Sequence, residues 1–181
     1  MFKKFLKIIF ALFCIAGVLY LALPNFSFPE PPPDSIQSQE PADLESSLRR
    51  GYFTNYSRGE VISWYENQFD RSAFLNIKMP TLLLNYPPEE AQTIIRDQTS
   101  STFLQELVHP FRESVYINGF RPAVAGNSPP FLVEGRYWQQ KVIIRTVSTS
   151  IWVREGIFLA SMAMVAVLYS AFSKLLQKKN G

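Results

Sequence analysis

Two charge-free apolar stretches bracket the chain, Ile8 to Leu23 near the amino end and Gly156 to Ser173 near the carboxyl end. Lysines guard the outer side of each: Lys3, Lys4 and Lys7 before the first, Lys174, Lys178 and Lys179 after the second. The second stretch makes about 27 Å of helix at 1.5 Å per residue, enough to cross the hydrocarbon of a bilayer. Trp152 and Tyr169 stand near its ends, where interfacial aromatic residues collect. The pattern predicts a membrane protein with two transmembrane helices flanking one exported domain.

The first stretch also has the charged start of a signal peptide. Its apolar run is longer than usual for one, however, and Pro24 follows Leu23 where a small cleavage motif would be needed, so a retained anchor is expected. Lysine on short tails favours the cytoplasm. Both termini are therefore expected inside a plasma (inner) membrane, with the central domain periplasmic or extracellular. Arg154 argues the other way, but Glu155 adjoins it and six lysines outweigh it.

Charge supports the same division. The chain carries +3 overall, yet residues 25–150 hold 11 Lys and Arg against 14 Asp and Glu, a net −3. The basic excess lies in the tails, so it reports membrane topology and gives no ground for nucleic-acid binding. The single cysteine, Cys14, falls in the first apolar run, so the domain must be held by its core and not by a disulfide.

The expected organisation is a tail over 1–7, a first span over 8–23, a proline-rich linker over 24–41, an α+β domain over 42–150, a second span with an interfacial start over 151–173, and a tail over 174–181. Pro24, Pro29, Pro31, Pro32, Pro33 and Pro41 predict a stiff, solvated spacer reaching about 50 Å. Only Ser148 to Ser150 are left to join the last strand to the second span.

Within the domain, Ser57-Arg58-Gly59-Glu60 has the form of a capping box and predicts a helix from Arg58 to Phe69. A strand is expected over Thr81 to Asn85, and a helix opening at Pro87-Pro88-Glu89-Glu90 and running to Gln98. Phe103 to Val108 suits helix or strand. Val115 to Ile117 reads as a strand ended by the turn-prone Asn118-Gly119. Phe131 to Val133, Tyr137-Trp138 and Val142 to Val147 read as strands, with a reversal at Gly135 or at Gln139-Gln140. Helices early and strands late predict an antiparallel sheet with helices on one face.

Few residues carry chemistry. Glu106, His109, Glu113 and Ser114 lie close in sequence and admit an exported-side hydrolase, but no nucleophile elbow or oxyanion loop accompanies them. With one histidine and no cysteine in the domain, no metal site and no cofactor are expected. Arg49, Arg50, Tyr52 and Phe53, and Arg136, Tyr137 and Trp138, combine guanidinium and aromatic groups as binding hot spots do, and equally as core aromatics covered by arginine stems do. Gly156, Ala160, Ala163, Ala166, Ser170 and Ser173 form a small-residue helix face suited to close packing on another helix. The function expected is a non-catalytic, membrane-anchored interaction or assembly protein. Its partners would be the bilayer and another envelope membrane protein or a second copy. The hydrolase and an accessory subunit of a transporter are the alternatives.

Overall fold

The structure, a computed structural model, describes residues 2–71, 78–95, 101–121 and 131–179. In chain order it forms α1 (Phe2–Leu21), β1 (Ile36–Gln37), β2 (Arg49–Thr54), α2 (Arg58–Phe69), β3 (Leu82–Tyr86), α3 (Ala91–Ile94), β4 (Ser101–His109), β5 (Glu113–Phe120), β6 (Phe131–Val133), β7 (Arg136–Trp138), β8 (Gln140–Ser148) and α4 (Ile151–Lys179). Two units result: Met1–Pro24 with Thr149–Gly181, and Asn25–Ser148.

The second unit is α+β. Six strands form an antiparallel sheet in the order β1-β2-β8-β5-β4-β3, and β6 and β7 form a separate hairpin. β4, β5 and β8 lie inside the sheet with both faces covered, so Val142, Ile143 and Ile144 are all buried and the strand reads as a continuous apolar run. On one face Val61, Tyr65 and Phe69 of α2 pack on Tyr52, Phe103, Leu107, Val115, Ile117 and Ile144. Each such fully buried aliphatic or phenylalanine side chain contributes roughly 1.5–3 kcal/mol. On the other face Ala91 and Ile95 pack on Leu104, Phe120 and Ile143.

The expectation of helices on one face is thereby corrected. Alternation along β4 sends Phe103 and Leu107 one way and Leu104 the other, so each face needs its own cover. The helix expected to run to Gln98 is, among the described residues, a 3-10 turn at Pro88–Glu90 followed by the single turn of α3. Residues 96–98 lie outside the described segments.

α2 matches its sequence signature. Ser57 accepts from the Glu60 amide, and the Glu60 carboxylate accepts in return from the Ser57 amide at 2.7 Å. Asn118-Gly119, by contrast, is no turn: β5 continues through it to Phe120, and the reversal before β5 falls at Pro110 to Arg112. The ring of Phe103 occupies the space where a side chain at 119 would stand, so glycine serves close approach here and not chain reversal. The β6–β7 reversal is at Glu134-Gly135, whose φ values of 52° and 73° fit a type I′ turn.

The proline-rich segment, expected as a stiff, solvated spacer, packs on the domain. Phe26 meets Phe69 edge-on with centroids 5.1 Å apart, and the Glu30 carbonyl accepts from the Trp64 indole at 3.2 Å. β1 then pairs with β2. An extended proline-type backbone makes no helical or sheet hydrogen bonds of its own, so the Glu30 carbonyl is open to such a donor, and the two phenylalanines gain by leaving water.

The first unit consists of α1 and α4. Both are long and apolar enough to cross a membrane: the windows Lys4–Leu21 and Ile151–Leu175 have mean hydropathy 2.1 and 1.8. They meet where the Phe158 ring lies over Gly17, 2.3 Å from the position a Cβ would take, and beside Phe13. Arg154, early in α4, donates to the Leu23 carbonyl.

Candidate functional site

The four residues that admitted hydrolysis divide between opposite faces of the sheet. His109 and Glu113 are cross-strand partners at the β4–β5 turn, on the α2 side. The His109 Nδ1 lies 2.8 Å from a Glu113 carboxylate oxygen, and the Arg112 guanidinium lies 3.0 Å from the same oxygen. The imidazole stacks on Phe69 at 3.9 Å, and the His109 and Glu113 side chains are only 2% and 3% exposed. Glu106 and Ser114 point to the other face, where Glu106 accepts from the Tyr86 hydroxyl and Tyr116 bonds to both Glu106 and Ser114. Strand alternation separates the pairs, so Ser114 does not share a face with His109. The buried set acts as a brace.

The polar residues of the second face fall in register. Leu84, Glu106, Tyr116, Arg145 and Arg49 form one row across β3, β4, β5, β8 and β2. The hydrogen bond to Glu106, reinforced by burial, raises the Tyr86 phenol well above its ordinary value. Burial first, and then the Glu106 hydrogen bond, pushes Tyr116 up to about 12. Arg145 donates to the carbonyl of Ile94 and Arg49 to that of Ile95, so two like charges placed side by side clamp the carboxyl end of α3.

The arginine and aromatic positions expected to bind are mostly used in packing. Arg49 is buried and lies 3.7 Å from Asp43, which Lys141 also reaches at 2.7 Å. Arg50 covers the Phe28 ring, and Tyr52 is in the core, where burial raises its phenol. Phe53 is buried against Phe131, with ring centroids 5.3 Å apart. Arg136 lies over the buried Trp138. Arg136 and Tyr137 are exposed, and so is Leu132, the cross-strand partner of Tyr137.

On α4, Ala166 and Ser170 line a groove of about 520 Å³ with Leu6, Phe10 and Phe13 of α1. Gly156, Ala160 and Ala163 are exposed. α1 also approaches α4 closely at Gly17, which the sequence pattern did not single out. Among the described residues, no group of three or more His, Cys, Asp or Glu is placed to hold a metal ion.

The surface missed in the sequence is β3. It is an edge strand of the sheet, and Leu82, Leu83 and Leu84 are 52%, 40% and 41% exposed. A run of three leucines reads as a strand without saying where in the sheet it lies; only sheet order shows it at the rim. Compared with protein-family models, curated proteins and solved structures, the chain matches none.

Proposed function

We propose that this chain is a two-span membrane protein whose α+β domain recruits a second polypeptide at the open edge β3, in a non-catalytic assembly role. The edge carries the reading. It presents backbone donors and acceptors that no described strand pairs, flanked by three leucines on alternating faces. Proteins ordinarily blunt such an edge with lysine, proline or a bulge, and Leu82 to Tyr86 contains none of these. An extended partner strand would gain both ladder hydrogen bonds and apolar contacts. The partner is another envelope membrane protein or a second copy. α1 and α4, as spans of the plasma membrane with cytoplasmic outer ends, hold the domain on the exported side.

A photoreactive residue placed at Leu83 in the full chain, illuminated in native membranes, tests this. A discrete adduct is expected, its mass separating self-pairing from a different partner, and Leu84→Lys should abolish it. Labelling no stronger than that from the same probe at Tyr137 would defeat the proposal.

A further inference from the structure

The turn joining β4 to β5 has a conformation unfavourable to the residue it carries. The Arg112 amide donates to the His109 carbonyl at 3.0 Å, closing a four-residue turn. Pro110 fixes the first central φ at a negative value, and Phe111 follows with φ 63°. That combination is a type II turn, whose second central position favours glycine. Here a phenylalanine occupies the left-handed region and is 88% exposed. Ring and strain together gain nothing inside the domain.

Beneath the tip the backbone is held firmly. His109 is stacked on Phe69 and bonded to Glu113, and Arg112 folds back onto the same carboxylate. Phe111 is therefore presented on a rigid base. Its position within the domain is also defined. Glu113 pairs with Ser148, the last residue of β8, and Phe26, Glu113 and Ser148 line one small cavity. The two ends of the domain therefore emerge beside the Phe111 turn. The sequence then leaves only Thr149 and Ser150 before α4, while Pro24 and Asn25 precede Phe26.

We infer that Phe111 is an interfacial anchor that inserts into the headgroup boundary of the bilayer. The inference rests on the reading of α1 and α4 as membrane spans. An aromatic ring at headgroup depth leaves water while its backbone stays hydrated, a placement common to membrane-surface segments.

The test uses the full chain in phosphatidylcholine–phosphatidylglycerol vesicles, with Cys14→Ser as background. Nitroxide labels are placed singly at Phe111→Cys, at Tyr137→Cys on the hairpin that precedes β8, and at Val165→Cys in α4. Collision with oxygen is compared with collision with a water-soluble nickel complex. The label at 111 should favour oxygen several-fold over the label at 137, and so should that at 165. If 165 reports lipid while 111 matches 137, the anchor is refuted and the spans stand. If 165 also matches 137, the spans fail and the anchor with them. Phe111→Gly supplies a control on folding: the unfolding temperature of the detergent-solubilised protein should hold or rise. A fall of several degrees would show that the ring serves the fold and would overturn the inference.

Discussion

Gly119 shows what a single position decides in this sheet. A Cβ there would lie 2.0 Å from one Phe103 ring carbon and 2.5 Å from another, while one at Gly59 would meet nothing within 4 Å. Gly119→Ala is therefore expected to destabilise the protein by about 2 kcal/mol, through a displaced ring in a packed core. Gly59→Ala, in the first turn of α2, should be neutral or stabilising by a few tenths of a kcal/mol. Chemical denaturation of both variants checks the contrast. The sequence signalled glycine at 119 but not its reason, since Asn-Gly is ordinarily a reversal and Phe103 is distant along the chain. Tyr52 and Trp138 were legible as either core or interface aromatics, and the structure decides for the core. An aromatic beside an arginine has the same composition in a core as at a binding surface.

Among the elements, the β3–β4–β5 side of the sheet is joined by phenols. Tyr86 and Tyr116 converge on Glu106 from the neighbouring strands, and both are held protonated, by the Glu106 hydrogen bond and by burial. Their folded values lie above the ordinary tyrosine value, about 10, so their contribution to stability is complete below that pH. It is lost as pH rises toward and through the folded values, because the unfolded chain releases those protons first. The unfolding temperature should therefore fall steeply above about pH 10, and more gradually in Tyr86→Phe. A pH series of thermal melts on both proteins settles the sign. Helix α2 was fully legible from its capping box, whose bonds are local in sequence. The extent of α3 was not, for what defines its carboxyl end is a clamp from Arg49 and Arg145 on remote strands.

At the scale of the molecule, the two units answer different physical demands. The apolar windows of α1 and α4 are 6% and 0% buried, an arrangement that water disfavours and lipid accepts. Read as spans guarded by lysines, they predict that a reporter active only in the cytoplasm will work when fused after Gly181. A reporter active only outside should fail there and work when inserted at the exposed Glu134-Gly135 turn. The reverse pattern would invert the proposed topology. The domain should also unfold at the same denaturant concentration with and without reductant, because the chain's one cysteine, Cys14, lies in α1.

The sequence by itself determined the features that depend on near neighbours: two apolar helices with lysine-rich ends, the capped helix α2, and strands of β-branched and aromatic residues. Periodicity, capping and charge are short-range signals, readable without knowing what lies opposite. Tertiary structure alone decided that the proline-rich segment folds back on α2, and that His109 and Glu106 look to opposite faces. It alone left Leu82 to Leu84 at a sheet edge and set Phe111 beside both ends of the domain. Each of these depends on strand order and register, which bring together residues far apart in the chain and which no local pattern encodes.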